Sequence, residues 1–293
     1  MLILEVLISG VLLGGLYACM ALGFSIVWGV TNLINLAHGS MIVIGAYIAW
    51  GLQTQVGLDP FLALPLVAAA LFAFGYLLQS LLLNRIIHVS LFMTRVLTFG
   101  LDMVLVNINL ELFSANVRSI VLSYGSVALE FGGIRVPATR IAVFGVALLA
   151  TWMLHRFMNH TRTGNAIRAT AQNPKAATVL GIDARRTYAL AFGIGAALAG
   201  VAGALMAVLY AFSPLSGAAM TLKSFVIVLL GGLGSIHGAI VAAMVLGIAE
   251  NLVSGLIAPG LRDAVSFFLL LVMLLVRPRG LFGNRYLADT KPI

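Results

Sequence analysis

The 293-residue chain has little charge and a single cysteine. Charged residues make up 9% of it, against roughly 25% in an ordinary soluble domain, and this excludes a soluble globular protein. Cys19 lies inside an apolar stretch, which excludes a disulfide framework and a cysteine-based metal cluster. The histidines lack the spacing of a zinc site, and no catalytic serine elbow occurs. We therefore expect no enzyme activity and no bound metal.

Hydrophobic residues make up 61% of the chain, and its mean hydropathy is +1.10. A membrane-spanning helix needs about 20 mostly apolar residues. Nine apolar segments are visible, at 5–28, 39–53, 61–83, 91–113, 139–157, 187–211, 221–234, 238–257 and 263–276. Those at 39–53 and 221–234 are short and adjoin glycine-rich turns. The prediction is an all-α polytopic membrane protein, a bundle of about 8–10 transmembrane helices with broken or re-entrant segments, forming one domain over residues 1–293.

The net charge of +8 does not indicate a nucleic-acid partner, because no long basic run or aromatic platform occurs. The basic residues fall between apolar segments, as the positive-inside rule describes. With nine crossings and an external N-terminus, the connectors 84–90, 158–186 and 277–293 are cytosolic. They and their flanks hold eleven of the seventeen Lys and Arg residues. We expect a multi-pass protein in contact with lipid, with a cytosolic C-terminus.

The longest predicted external connector is 114–138. It shows partial alternation of apolar and polar residues and contains Gly132-Gly133, which predicts a small hairpin or cap. On this topology the connector faces the periplasm, where a soluble partner could touch it. An exposed loop without a partner is the alternative.

The connector 158–186 contains a short predicted helix. Asn173 is a suitable N-cap, Pro174 a suitable first residue and Gly181 a suitable terminator. So short a helix is unstable alone in water and must dock on another surface. This pattern predicts a coupling helix held by a cytosolic partner, with a merely interfacial helix as the alternative. Arginine in place of Ala177 is expected to abolish coupling. The predicted coupling residues are Asn173, Pro174, Lys175, Ala176, Ala177, Leu180, Gly181 and Ile182.

Two breaks with glycine interrupt the apolar pattern, at 31–40 and 231–238. Irregular backbone at membrane depth is tolerated only where it is buried in protein or lines a wet cavity. Broken helices in matching positions of two halves indicate a translocation pathway, and both breaks contain a His-Gly pair. The candidate pathway residues in the breaks are Asn32, Asn35, His38, Gly39, Ser40, Gly231, Gly232, Gly234 and Ser235.

Polar residues inside the spans extend this set. Intramembrane ionisable groups usually face the bundle interior or an aqueous cavity. Asp102, near the middle of the fourth segment, and Asn107 are therefore added to the candidate pathway. Lys223 and Glu250 lie in or near segment ends, where a structural pair or an interfacial position is expected.

Five stretches are distinctive when taken together. They are GLYACMALGFSIVWGVTNLINLAHGSMIVIGAYIA at 15–49, NPKAATVLGI at 173–182, GAALAGVAGAL at 195–205, LKSFVIVLLGGLGSIHGAIVAAMVLGIAE at 222–250 and VRPRGLFG at 276–283. With them the chain resembles the permease subunits of branched-chain amino-acid ABC importers, specifically the H-type subunit. Urea and short-amide permeases are close relatives of that family.

The resemblance implies a set of partners in a bacterial inner membrane. A second, homologous permease would pair with this chain, two cytosolic ATP-binding subunits would drive the pair, and a periplasmic substrate-binding protein would deliver the substrate. ATP and magnesium would then bind to the partner ATPases, and this chain would hold no cofactor. The resemblance also places the coupling element within residues 173–182.

We therefore expect a permease that moves branched-chain or similar apolar amino acids inward by alternating access. An ABC permease for urea, short amides or another small solute is the alternative within the class. A stand-alone secondary transporter, with Asp102 as a proton or cation site, is the alternative from another class.

Overall fold

The structure, a computed structural model, describes residues 2–86, 91–125, 127–131, 134–277 and 280–282. These residues form twelve α-helices and one β-hairpin. The elements are α1 (Leu2–Thr31), α2 (His38–Val56), α3 (Pro60–Leu78), α4 (Asn84–Ile86), α5 (Leu91–Phe113), β1 (Ala128–Phe131), β2 (Ile134–Pro137), α6 (Ala138–His160), α7 (Arg162–Gln172), α8 (Pro174–Val179), α9 (Ala184–Leu209), α10 (Gly217–Gly231), α11 (Ile236–Leu256) and α12 (Arg262–Val276). A π-helical turn at Gln79–Leu83 joins α3 to α4, and 3₁₀ turns at Pro214–Ser216 and Pro259–Leu261 precede α10 and α12.

All nine predicted apolar segments are helical over most of their length. Within the described ranges, eight helical stretches are long and apolar enough to cross a membrane. The segment that does not count among them is 39–53, which lies in the 19-residue α2. The prediction of an all-α polytopic membrane protein is therefore confirmed.

The longest helix, α1, lies at the centre of the bundle. It runs antiparallel to α11 and also packs against α9, α6 and α10. Its glycines bring two backbones together, because a Cβ atom on Gly10 would lie 2.7 Å from the Cα atom of Ile248. A Cβ atom on Gly14 would lie 2.8 Å from the Cα atom of Met244. Small residues favour such close helix packing in lipid, where water does not drive apolar surfaces together.

The second core helix is α9, which packs against α1, α2 and α3. Phe24 of α1, Phe192 of α9 and Phe212 just beyond α9 are fully buried in the common core. By contrast, α12 exposes a row of large apolar side chains, among them Phe268 and Leu275. This distribution suits a bundle whose interior is protein and whose outer helices face lipid.

The connectors gather at two ends of the bundle. At the first, here called the basic end, the Asn84 amide donates a hydrogen bond to the Arg185 carbonyl over 3.1 Å. At the same end, the backbone N–H of Leu281 donates to the Leu230 carbonyl over 2.8 Å. The described basic residues of this end are Arg85, Arg156, Arg162, Arg168, Lys175, Arg185, Arg186 and Arg277. The clustering of basic connectors at one end is as predicted, although residues 87–90, 278–279 and 283–293 lie outside the described residues.

The opposite end, here called the hairpin end, carries the connector 114–138. Strands β1 and β2 pair antiparallel, with Glu130 opposite Arg135, and these two side chains form an ion pair. Outside the hairpin, Arg118 and Phe212 exchange two backbone hydrogen bonds of 2.8 Å. The predicted hairpin is confirmed, while its predicted turn glycines, 132 and 133, lie outside the described residues.

Candidate translocation and coupling sites

The first break returns the chain into the bundle. Asn32, which is exposed, has a φ of +53° just after α1 ends. The buried Asn35 side chain accepts a hydrogen bond from the backbone N–H of Ala37 over 3.1 Å. His38, the first residue of α2, is also buried, and its Nε2 lies 3.0 Å from the Met20 carbonyl in the body of α1. Except at Asn32, the break is therefore largely enclosed by protein, as irregular backbone in a membrane requires.

Directly after the first break, the start of α2 is in close contact with α10. The backbone N–H of Gly39 donates to Thr221 Oγ1 over 2.8 Å, and that hydroxyl donates to the Leu36 carbonyl over 3.2 Å. A Cβ atom on Gly39 would lie 1.8 Å from the Gly217 carbonyl oxygen. Glycine is thus required at position 39 because the backbones of the two helices touch.

Helix α5 presents a polar side to the same break. Ser40 Oγ donates a 2.5 Å hydrogen bond to Asp102 Oδ1, and Thr98 Oγ1 donates to the Ile34 carbonyl over 3.1 Å. Thr98 and Asp102 are four residues apart and so share one side of the helix. Asn107 lies elsewhere on α5, since it is exposed and donates to the Met103 carbonyl of its own helix. The structure therefore brings Asp102 to the break residues and leaves Asn107 apart from them.

The second break lies beside the last turns of α1. Gly232 and Gly234 have φ values of +102° and +77°. Ser235 caps α11 by accepting a hydrogen bond from the backbone N–H of Gly238 over 3.1 Å. Gly234 faces Gly29 of α1, and the backbone N–H of Phe282 donates to the Gly231 carbonyl over 3.0 Å. The two breaks are joined by α10, whose first residue touches Gly39 and whose last residue is Gly231.

The short helix predicted in the connector 158–186 is present as α8. Asn173 Oδ1 accepts a hydrogen bond from the backbone N–H of Ala176 over 3.0 Å, and Pro174 is the first helical residue. Gly181 has a φ of +83°, and the backbone N–H of Ile182 donates to the Ala177 carbonyl over 3.0 Å. These contacts confirm the predicted cap, start and terminator of the helix.

The side of α8 that faces outward differs from the expectation. Val179 and Leu180 are 87% and 79% exposed, and Lys175 and Ala176 are exposed as well. Ala177 is only 2% exposed, because α8 packs against α7 and α9. The prediction that arginine at Ala177 would report on docking is therefore wrong, since it would disturb packing within the chain. So short a helix has no hydrophobic period from which the sequence could distinguish its sides.

A buried charge cluster lies toward the hairpin end. Lys223 Nζ is 3.1 Å from Glu250 Oε2, so the expected structural pair is confirmed. Glu250 is fully buried, and it has further partners in α1 and α12. The sequence analysis missed these partners because they lie far from Glu250 along the chain. We call this set the Glu250 cluster; it comprises Tyr17, Tyr210, Lys223, Glu250, Arg262, Asp263 and Ser266.

The chain is thus a polytopic membrane protein in which two broken helices and the polar side of α5 meet inside the bundle and a short capped helix lies at the basic end. Residues 6–276 match the family described as the permease component of the branched-chain amino acid transport system. The chain belongs to this family, which confirms the resemblance noted in the sequence.

Three relatives illustrate the similarity. The high-affinity branched-chain amino acid transport system permease proteins BraD of Pseudomonas aeruginosa and LivH of Escherichia coli are 32% and 33% identical to this chain. Each comparison covers 96% of both chains. The Escherichia coli permease protein LivM is 27% identical, over 91% of this chain and 67% of LivM. Among solved structures, PsaBC from Streptococcus pneumoniae in complex with Fab is similar with a TM-score of 0.46 at 14% identity, covering 94% of this chain and 92% of that one.

Proposed function

We propose that this chain is the membrane subunit of an ATP-binding-cassette importer that moves branched-chain or similar apolar amino acids inward across a bacterial inner membrane. The similarity to BraD and LivH, both branched-chain amino acid transport permeases, supports this substrate class over urea or short amides. Similarity to both LivH and LivM supports pairing with a second, homologous permease. Two cytosolic ATP-binding subunits and a periplasmic substrate-binding protein complete the proposed assembly, and ATP and magnesium bind to the ATPases.

The observation that carries the proposal is the apolar tip of α8. Val179 and Leu180 project from a short capped helix at the end of the bundle where basic connectors concentrate. The positive-inside rule assigns that end to the cytosol, together with the C-terminus. Two large exposed apolar side chains on a water-facing helix indicate a surface that another protein covers.

Alternating access follows from how α8 connects to the bundle. Helix α8 packs on α7, and α7 in turn contacts α1, α6 and α9. Movement of α8 with the ATPases would therefore shift the helices that enclose the first break. The proposed pathway runs past Ser40 and Asp102 and along α10 toward Gly232 and Gly234. Affinity for the substrate resides chiefly in the binding protein, which delivers it to the hairpin end.

The proposal is tested by native purification of this chain in detergent or nanodiscs. We expect one sister permease and two ATPase subunits to accompany it, and reconstituted vesicles to take up leucine, isoleucine or valine only with ATP and the loaded binding protein. A ligand panel on that binding protein decides between branched-chain amino acids and urea or amides. Uptake by the purified chain alone, driven by an ion gradient, would contradict the proposal.

Asp102 separates this mechanism from that of a proton-coupled transporter. We expect Asp102→Asn to retain ATP-driven uptake within about twofold, because the amide oxygen still accepts the Ser40 hydrogen bond. A carrier that moves protons on Asp102 would lose its transport, since an amide does not ionise. The measurement is initial uptake in vesicles with and without a pH gradient, and a dependence of wild-type uptake on that gradient would contradict this prediction.

A further inference from the structure

The Glu250 carboxylate accepts four hydrogen bonds from within the chain. Ser266 Oγ donates to Oε1 over 2.6 Å, and the Tyr17 hydroxyl donates to Oε2 over 2.6 Å. Lys223 Nζ and Arg262 Nε also reach Oε2, over 3.1 and 3.3 Å. Four donors of the chain therefore surround the fully buried Glu250 carboxylate.

Lys223 of α10 contacts three other helices. Its ammonium group has three donors, and its partners are the Tyr17 hydroxyl of α1 at 3.0 Å, Glu250 of α11 at 3.1 Å and Asp263 of α12 at 3.0 Å. With Arg262, the cluster contains two cations and two carboxylates and is electrically balanced. Ionisable groups in membrane spans are costly, and they usually mark a functional element.

The opposite side of α10 holds the first break. Thr221 and Lys223 are two residues apart, which places them on roughly opposite sides of the helix. Thr221 bonds to Gly39 and Leu36 of the break, whereas Lys223 bonds into the cluster. At its C-terminal end α10 receives the backbone hydrogen bonds of Leu281 and Phe282. Helix α10 is therefore fixed to α12 near its middle and to the segment after α12 at its C-terminal end.

We propose that Lys223 and Glu250 are positioning residues for transport: they hold α10 against α1, α11 and α12, so that Thr221 keeps its contact with the first break. This inference rests on the proposed permease function. Neither residue touches the substrate; they act through the placement of Gly39 and Thr221. Loss of the Lys223 and Glu250 contacts therefore slows the conformational step without weakening capture of the loaded binding protein.

The test is the double variant Lys223→Met/Glu250→Gln in the reconstituted complex. It removes one cation and one carboxylate together, so the net charge of the cluster is unchanged and the charges left are the half-buried Arg262 and the exposed Asp263. The glutamine amide can accept from one of the Ser266 and Tyr17 hydroxyls and donate to the other. We expect uptake per assembled complex at saturating loaded binding protein to fall about tenfold or more, with less than about a twofold change in the half-saturating concentration. Assembled complex is quantified by size-exclusion chromatography.

The matched control removes another ion pair. Arg135→Met/Glu130→Gln deletes the exposed pair of the hairpin, and exposed pairs contribute little to stability, so we expect this variant to assemble at the wild-type level. Wild-type uptake per assembled complex in the cluster variant would overturn the inference, even if less complex forms. If the double variant does not assemble, the inference is tested with Lys223→Arg instead. A planar guanidinium does not reproduce the three-way contact of an ammonium. A lowered rate then supports the inference, and an unchanged rate overturns it.

Failure of the proposed function is recognised separately. The wild-type complex tests that function, whereas the ratio of variant to wild-type rates tests the positioning role. A wild-type complex without ATP-driven uptake would refute both statements, and a normal wild type with a normal cluster variant would refute only the second.

Discussion

Leu180→Arg is expected to abolish ATP-driven uptake and the association of the ATPase subunits with the permease. The Leu180 side chain is 79% exposed at the tip of α8, so its replacement leaves packing within the chain unchanged. In the complex the side chain would enter an apolar groove of the ATPase, where an unpaired guanidinium is strongly unfavourable. Loss of one such anchor costs about 2 kcal/mol or more, which is roughly a 30-fold loss of affinity.

The measurement is the amount of ATPase that co-purifies with the tagged permease, followed by uptake in vesicles. Val121→Arg is the matched control, because Val121 is 78% exposed but lies near the hairpin end. It should retain the ATPases in wild-type proportion. Ala177→Arg, by contrast, should lower the yield of folded permease. Normal ATPase association in Leu180→Arg would refute docking through α8.

Gly39→Ala is expected to give the largest loss of stability among the glycine-to-alanine changes in α2. The new Cβ atom would lie 1.8 Å from the Gly217 carbonyl oxygen and 2.5 Å from Thr221 Oγ1. Neither helix can yield without breaking the hydrogen bond between Gly39 and Thr221. Overpacking of this kind costs typically about 1–3 kcal/mol, and more where backbone must move. The rate of uptake should fall together with the stability, because the first break is displaced.

The control for Gly39 lies in the same helix. Gly51 has no atom within 4 Å of an added Cβ, so Gly51→Ala should be neutral or stabilising by up to about 1 kcal/mol through helix propensity. Both variants are compared by the temperature at which half of the detergent-solubilised protein aggregates. Equal midpoints for Gly39→Ala and Gly51→Ala would contradict the close contact of α2 with α10.

Local features of the fold are readable from the sequence because they depend on near neighbours. The apolar runs in the sequence predicted the nine helical segments, because a membrane span must satisfy its own backbone hydrogen bonds in lipid. Asn173, Pro174 and Gly181 marked the ends of α8, because capping involves residues three or four positions apart. The family also follows from the sequence, through stretches that span most of the chain.

Contacts between distant segments required the tertiary structure. The sequence indicated that Asp102 is an unusual intramembrane carboxylate, but its partner Ser40 is 62 residues away. The burial of Ala177 depends on how α8 packs against α7 and α9. A helix too short for a clear hydrophobic period does not reveal which side it buries.

By itself the sequence determined the membrane class, the spans, the basic connectors and the capped helix, all of which follow from local composition and neighbouring residues. Only the tertiary structure decided that Lys223 contacts α1, α11 and α12 at once, and that Gly39 lies against Gly217. The reason is physical. A buried charge is stable only where helices from several parts of the chain supply its partners together, and sequence spacing does not encode that meeting point.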